Sequence, residues 1–209
     1  MANIKLKRKQ KKDKSNKWLE RHLNDYFFIQ AKKKGLRSRS SFKLMQINQK
    51  FNFFFKGASV LDLGAAPGGW SQISKKLVGR KGKVLGIDKI SIEPINDIKF
   101  LKIDINDLDL QVKEFFNHKV DILLSDMAPN TSGHKLTDHL KIIDLVETAI
   151  NCSNKFLKTD GFFVCKIFQG GAQGKLLELM KTSLKKIKYI KPLASRKESS
   201  EVYLFGIKK

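Results

Sequence analysis

The chain has 209 residues, which is enough for one domain with a sizeable hydrophobic core and a short appendage. Its net charge of +22 favours a polyanionic partner such as nucleic acid, although a general richness in lysine explains part of that charge. The sequence has no apolar run of the roughly 20 residues that span a bilayer and no apolar secretory signal, so we expect a cytoplasmic protein without membrane contact.

The N-terminal quarter of the chain is the most basic part of the sequence. Residues 1–17 are polar and rich in lysine, which predicts a disordered tail that binds phosphates diffusely. Residues 18–51 carry apolar side chains at helical spacing, and Ser40 or Ser41 is placed to cap one of the predicted helices. We expect these helices to form part of a nucleic-acid-binding face. The basic residues that we place on this face are Arg37, Arg39 and Lys43.

From Ala58 onward, strand-like runs alternate with helix-length segments, a pattern typical of βαβ units in a mostly parallel sheet. No internal repeat or second domain is visible, so residues 18–209 are predicted to form a single domain. The predicted strands are residues 59–63, 83–88, 99–103, 120–125, 162–167, 187–190 and 202–207. The predicted helices are residues 69–78, 107–117, 137–156 and 175–184.

A glycine-rich loop follows the first predicted strand and opens a helix. It reads Asp62-Leu-Gly-Ala-Ala-Pro-Gly-Gly-Trp70, and its glycines allow a tight turn and a close approach to a ligand. The spacing differs from the dinucleotide fingerprint, whose second glycine would fall on Ala66, and no Gly-Lys-Ser/Thr follows as in a phosphate loop. With Asp62 before the turn, the loop resembles the S-adenosyl-L-methionine loop of class I methyltransferases.

Two acids stand where the next strands are predicted to end. Asp88 closes the second strand, at the position where an acid can accept hydrogen bonds from the ribose hydroxyls of a nucleoside. Asp104 follows the third strand and could bind an adenine amino group. Either acid alone would more often be an ordinary strand-end carboxylate, but the loop and both acids together favour a cofactor site. Trp70 fits cofactor contact and packing at the helix start equally well.

Three polar residues interrupt or bound apolar strand-like runs. Asp126 follows the run 120–125, Lys166 lies within the run 161–168, and Glu201 opens the last strand. A lysine inside a buried strand loses most of its hydration, so Lys166 needs a carboxylate partner or a chemical role unless it reaches solvent from an edge strand. Glu201 alone would be read as a surface acid at a strand start.

Four motifs together resemble the RrmJ/FtsJ family of ribose 2′-O-methyltransferases, and the similarity runs from about Trp18 to the C-terminus. They are the glycine-rich loop through Ser71, Ser125-Asp-Met-Ala-Pro-Asn130, Val164-Cys-Lys-Ile-Phe-Gln-Gly170 and Ser200-Glu-Val-Tyr203, and the lead-in Arg37-Ser-Arg-Ser-Ser-Phe-Lys43 also fits. The departures are the lysine-rich start and Gly171-Ala-Gln-Gly174, and both bear on substrate contacts rather than on the reaction.

The resemblance implies a fold, a reaction and a set of site residues. The fold is an α/β class I S-adenosyl-L-methionine-dependent methyltransferase, Rossmann-like, with a seven-stranded, mostly parallel sheet and an antiparallel last strand. The implied substrate is a uridine ribose in large-subunit (23S) ribosomal RNA, within the assembled or nearly assembled subunit, and no obligate protein partner is evident. The implied catalytic set is Lys43, Asp126, Lys166 and Glu201, and the implied cofactor-binding residues are Gly68, Trp70, Asp88, Asp104 and Asp126.

Each member of the implied catalytic set has a role that suits attack by a weakly nucleophilic ribose hydroxyl. We expect Lys166 to act as general base, oriented by Asp126, which would also line the methionine end of the cofactor. Lys43 and Glu201 would hold the ribose, and Lys43 would steady the developing oxyanion. An ordinary lysine is almost fully charged near pH 7, and neighbouring charges of both signs act on this one, so its protonation state is left open.

Other methyltransferase classes fit the residues less well. Base amino-methyltransferases carry an aromatic residue in the motif that here reads Asp126-Met-Ala-Pro129. Carbon-methylating enzymes need a cysteine nucleophile, but Cys152 falls inside a predicted helix and Cys165 points away from Lys166. These two cysteines also suit a reducing compartment, and no metal site is predicted. A transfer RNA ribose methyltransferase of the same family and a non-catalytic ribosome assembly factor stay open as alternatives.

Overall fold

The computed structural model describes residues 25–129, 135–169 and 175–209. The helices in these ranges are α1 (Tyr26–Lys33), α2 (Ser40–Phe51), α3 (Gly69–Val78), α4 (Asp109–Phe116), α5 (Lys135–Phe156) and α6 (Lys175–Ser183). The strands are β1 (Ser59–Leu63), β2 (Lys83–Asp88), β3 (Lys99–Lys102), β4 (Val120–Ser125), β5 (Leu157–Phe168), β6 (Leu184–Ile190) and β7 (Glu201–Lys208). The predicted tail at residues 1–17 and the start of the first predicted helix lie outside the described residues.

The seven strands form one sheet in the order β3-β2-β1-β4-β5-β7-β6. Neighbouring strands are parallel from β3 through to β5, whereas β7 lies antiparallel between β5 and β6. This arrangement confirms the predicted mostly parallel sheet with an antiparallel last strand. The strand order reverses between β1 and β4, which is where open α/β sheets leave a crevice at the carboxyl ends of their strands.

Helices cover both faces of the sheet, which explains why its central strands are apolar along their whole length. All five residues of β1 are buried. One hydrophobic cluster packs α4, α5 and α6 against one face, and a second packs α2 and α3 against the other. No helix in the described parts of the chain is both long enough and apolar enough to cross a membrane.

Several element boundaries differ from the sequence prediction for identifiable reasons. β5 begins at Leu157 instead of residue 162, because the register between β4 and β5 shifts at a bulge in which Asp160 adopts a φ of 64°. The turn-like pair Asp160-Gly161 hid this strand start from the sequence pattern. The capping role of Ser40 or Ser41 is wrong: the N-cap is Arg39, and no side chain caps α2. Instead the Ser41 hydroxyl donates to the Gly69 carbonyl at 3.1 Å.

We expect Gly86→Ala to lower the free energy of unfolding by about 1–3 kcal/mol, because overpacking a tight interior strains it. An added methyl group on this β2 residue would lie 2.6 Å from Cδ1 of Phe100 and 2.9 Å from Oγ of Ser71. Urea unfolding followed by circular dichroism measures the change. Phe100→Ala opens the space, so the double variant should be less destabilised than the sum of the two single variants. A stabilised Gly86→Ala variant would contradict this packing.

Candidate active site

The predicted site residues gather at one edge of the sheet, where the parallel strands end. The glycine-rich loop leaves β1 there, and Asp126 follows β4 directly. Because β7 runs antiparallel, it begins at this same edge, with Glu201 opposite Phe168 and Tyr203 opposite Lys166 on β5. The antiparallel direction of β7 therefore places Glu201 and Tyr203 at the same edge of the sheet as Lys166.

The four residues of the implied catalytic set form two ion pairs. Nζ of Lys166 lies 2.7 Å from Oδ1 of Asp126, and it also donates to the main-chain carbonyl oxygen of Asp126 at 2.8 Å. Nζ of Lys43, on α2, lies 2.5 Å from Oε1 of Glu201. Both lysine residues are only 8% exposed. Each buried positive charge thus has a carboxylate partner, as an ion away from water requires.

Tyr203 links the two ion pairs, and the sequence analysis gave it no role. Its hydroxyl donates to Oδ1 of Asp126 at 2.8 Å and accepts from Nζ of Lys43 at 3.3 Å. The residue is fully buried, and burial raises its pKa well above the ordinary tyrosine value, so the phenol stays protonated. A usable signal was present, because residues two apart on a strand share a face, which places Tyr203 beside Glu201.

Asp126 is a carboxylate at neutral pH. Burial acts to raise its pKa, but the positive charges of Lys166 and Lys43 and the hydrogen bonds from Lys166 and Tyr203 outweigh burial and lower the pKa below its ordinary value. Asp126 therefore stands at the centre of the network, with a donor on each side. The whole network of two lysines, two acids and one tyrosine carries no net charge when its lysines are protonated.

The glycine-rich loop has the geometry of a close ligand approach. Gly64 adopts a φ of 73°, and a Cβ atom there would lie 2.7 Å from Cγ of Met127. Gly68 adopts a φ of 101° and immediately precedes α3, whose first main-chain N–H groups lack helical partners. Both positions favour glycine, because a side chain at positive φ is strained. The loop therefore turns tightly enough for its backbone to lie close to a ligand.

Asp62 lies buried beneath this loop. It accepts a hydrogen bond from the Ser71 hydroxyl at 2.6 Å, and its second carboxylate oxygen has no partner among the described residues. Burial raises the pKa of Asp62 to about 7, although the Ser71 bond acts against the rise. A buried carboxylate oxygen without a donor, next to a glycine cradle, fits a site that receives a ligand with hydrogen-bond donors.

Asp88 and Asp104 lie at the ends of neighbouring strands, as predicted, and both also hold local structure. The carboxylate of Asp88 accepts from the main-chain amides of Ala66 and Ile90, each at 2.9 Å, and so ties the loops after β1 and β2 together. Asp104 pairs with Lys89 at 2.8 Å, and the Lys89 hydrogen bond lowers the pKa of Asp104. Both carboxylates retain further lone pairs for a ligand.

Trp70 packs between α2 and β7. Its indole N–H donates to the Ser40 carbonyl at 2.9 Å, its ring centroid is 5.5 Å from that of Tyr203, and the residue is 2% exposed. This position supports the packing role that the sequence left open beside cofactor contact. Trp70 also fixes α2, and hence Lys43, against the network.

Neither cysteine is suited to nucleophilic chemistry. Both are buried, and burial raises the pKa of Cys152 to about 11 and that of Cys165 to about 12. A thiol with such a pKa is protonated at neutral pH and reacts poorly. Across the parts of the chain that the structure describes, no three His, Cys, Asp or Glu side chains are grouped so that they could hold a metal ion.

Comparison with known proteins gives consistent matches. Residues 36–209 match the family model described as FtsJ-like methyltransferase. The ribosomal RNA large subunit methyltransferase E of Acidiphilium cryptum is 46% identical over 206 residues, which cover 97% of this chain and 91% of that protein. The protein of the same name from Bartonella tribocorum is 45% identical, with 94% of this chain and 83% of the relative covered.

A solved structure agrees with these sequence matches. It comes from Plasmodium falciparum, is described as a ribosomal RNA methyltransferase, and superposes with a TM-score of 0.74 at 29% identity, covering 82% of this chain and 97% of that one. The family match spans every described residue of the network and the glycine-rich loop. The chain belongs to the FtsJ-like methyltransferase family.

Proposed function

We propose that this protein transfers a methyl group from S-adenosyl-L-methionine to the 2′-hydroxyl of a uridine ribose in large-subunit (23S) ribosomal RNA. The observation that carries the proposal is the buried network in which Lys166, Asp126, Tyr203, Lys43 and Glu201 are joined beside the glycine-rich loop. Relatives at 45–46% identity over most of the chain are named as ribosomal RNA large subunit methyltransferases. The net charge of +22 suits a substrate of this kind.

The residues at the carboxyl edge of β1, β2 and β3 are suited to hold the cofactor. Gly68 and the first main-chain amides of α3 allow close approach of the methionine end of the cofactor. The carboxylate oxygen of Asp62 that has no partner among the described residues can accept hydrogen bonds there. Asp88 would accept from the ribose hydroxyls, and Asp104 from the adenine amino group. When bound, the cofactor supplies a reactive methyl group on a positively charged sulfur.

Lys166 is assigned as the group that takes the proton from the ribose hydroxyl. Its amine is fixed by two oxygens of Asp126, which leaves one position on Nζ for the hydroxyl. As a base it must start as the neutral amine, and it becomes an ammonium once it holds the proton. That ammonium lies next to the Asp126 carboxylate, which stabilises the protonated product state.

This assignment keeps the charge around Asp126 nearly constant during the reaction. Lys166 would gain a positive charge from the proton, while the bound cofactor, which supplies the methyl group, would lose the positive charge of its sulfur. Asp126, which is expected to line the methionine end of the cofactor, would therefore have one positive charge nearby both before and after transfer. Tyr203 contributes a neutral hydrogen bond throughout, because its raised pKa keeps the phenol protonated.

Lys43 and Glu201 are assigned to the ribose. Their ion pair is buried, and Nζ of Lys43 also reaches the Tyr203 hydroxyl at 3.3 Å. The pair therefore offers one donor and one acceptor in a fixed geometry, which suits a sugar with neighbouring hydroxyl groups. Fixed groups of this kind orient the attacking oxygen for in-line displacement, and orientation supplies a large part of the rate in such reactions.

The direct test of the proposal uses labelled S-adenosyl-L-methionine and RNA from cells that lack the enzyme. Large ribosomal subunits, free large-subunit RNA and transfer RNA are incubated separately, and the labelled nucleotide is mapped. We expect label on the ribose of a uridine in the large-subunit RNA, with assembled subunits labelled faster than free RNA. Label on transfer RNA would overturn the substrate and retain the chemistry. Absence of label from all three, despite cofactor binding, would favour the assembly-factor alternative.

Lys166→Ala should lower kcat by about 100-fold to 10,000-fold, which is the range that a positioned acid–base group contributes. Cofactor affinity should change much less than kcat, because the lysine is assigned to the ribose hydroxyl and reaches the cofactor site only through Asp126. Single-turnover kinetics and calorimetric titration measure the two quantities. Lys158→Ala is the matched control: it removes a half-exposed lysine from the same strand, and turnover should stay near that of the unmodified protein. Substantial activity in Lys166→Ala would remove the base role.

Tyr203→Phe should lower kcat by about tenfold while the protein stays folded. The change keeps the buried ring and deletes the hydroxyl that joins Asp126 to Lys43, and a lost hydrogen bond to a charged group costs about 1.5–3 kcal/mol. Steady-state kinetics with saturating cofactor, together with thermal unfolding, distinguish a catalytic from a structural loss. Unchanged kcat in a stable variant would show that the hydroxyl only packs.

A further inference from the structure

Arg37 lies in the connection between α1 and α2, and its side chain crosses to the glycine-rich loop. Its guanidinium donates to the carbonyl oxygen of Pro67 at 3.3 Å, to that of Pro94 at 2.7 Å and to that of Glu93. Its main-chain N–H donates to Oε1 of Gln72 on α3 at 3.1 Å. One side chain therefore contacts two separate loops, the one after β1 and the one after β2.

These two loops flank Asp88. The loop after β1 supplies the Ala66 amide, and the loop after β2 supplies the Ile90 amide, to the Asp88 carboxylate. Arg37 joins the same two loops a second time, at Pro67 and at residues 93–94. Residues 89–98 form neither helix nor strand, so their position depends on such tertiary contacts.

The stem of Arg37 also packs on the loop. A Cβ atom at Gly68 would lie 3.2 Å from Cδ of Arg37, 3.3 Å from its Nη1 and 3.3 Å from Cγ2 of Ile92. Arg37 and Ile92 therefore lie directly against Gly68, and their positions shape the wall around it. Movement of the arginine would open this contact as well as the three hydrogen bonds.

The hydrogen bonds of Arg37 to the two loops use three of the five N–H donors of its guanidinium. Both N–H positions of Nη1 are used, by Pro67 and Glu93, and one of the two on Nη2 is used by Pro94. Bidentate phosphate binding needs two adjacent free donors on the planar fork. The Nε–H and one N–H of Nη2 remain, so the RNA contact predicted from sequence stays a prediction that the salt dependence of RNA binding tests.

We propose that Arg37 is a positioning residue of the cofactor site, which acts by holding the loops after β1 and β2 at a fixed separation on either side of Asp88. This inference rests on the proposed function only in placing S-adenosyl-L-methionine at the glycine-rich loop. A lysine cannot replace the arginine, because a single ammonium lacks the planar fork that reaches three carbonyl oxygens on two loops.

The test compares Arg37→Gln and Arg37→Lys with Arg80→Gln. This control removes one exposed arginine from the turn after α3 and so matches the charge change of Arg37→Gln. Both Arg37 variants should raise the Kd of S-adenosyl-L-methionine by about tenfold or more, and the KM for the cofactor in parallel. Their kcat at saturating cofactor should stay within about threefold of the unmodified protein. Arg80→Gln should leave the cofactor Kd unchanged.

The salt dependence of RNA binding distinguishes the two roles of Arg37. A phosphate contact would contribute about one unit to the slope of log K against log salt, whereas a positioning residue contributes none. We expect an unchanged slope in Arg37→Gln. An unchanged cofactor Kd in both Arg37 variants would overturn the inference. It would also be overturned if Arg37→Lys restored the cofactor Kd while Arg37→Gln lowered the salt slope of RNA binding by one unit.

Two further outcomes keep the inference separate from the proposed function. If the unmodified protein binds no S-adenosyl-L-methionine, the proposed function fails at that step, before any variant is compared. If Arg37→Gln does not fold, Arg37→Lys carries the test, since it retains the charge and the aliphatic stem that packs on Gly68. A folded Arg37→Lys with weakened cofactor binding and an unchanged RNA slope supports the inference.

Discussion

The ion pair between Lys166 and Asp126 is the interaction on which the rest of the site depends. Each of the two buried lysines would carry an uncompensated charge without its acid. Asp126 pairs directly with Lys166 and is linked to Lys43 through the Tyr203 hydroxyl. Breaking a buried pair by removing one partner is costly because the remaining charge stays buried. The network therefore holds the proposed catalytic geometry and the local fold by the same contacts.

The antiparallel strand β7 makes this network possible. A parallel strand in its place would end, rather than begin, at the carboxyl edge of the sheet, and Glu201 and Tyr203 would lie at the opposite edge. Instead β7 enters between β5 and β6, with Tyr203 opposite Lys166. The sheet is thus parallel where the cofactor loops leave it and antiparallel where the last acid must return to the site.

The segment from Arg37 to Lys43 belongs to both halves of the site. Arg37 and Ser41 contact the glycine-rich loop through Pro67 and Gly69, and the Ser40 carbonyl accepts the Trp70 indole N–H. Less than one helical turn after Ser40, Lys43 pairs with Glu201. A basic sequence that suggests an RNA-binding surface is therefore also a structural part of the proposed cofactor and catalytic sites.

The sequence by itself determined the fold class and most residues of the candidate site. The bounds of β1, β2 and β4 follow from apolar runs that end at glycine or at polar residues, and the resemblance to a methyltransferase family singled out Lys43, Asp126, Lys166 and Glu201. Only the tertiary structure decided the rest. The early start of β5 depends on a bulge against β4, and the roles of Tyr203 and Arg37 depend on partners 77 and up to 57 residues away. Local patterns of apolar residues indicate which segments are buried strands or helices. A hydrogen bond between distant residues exists only once the sheet has brought them together.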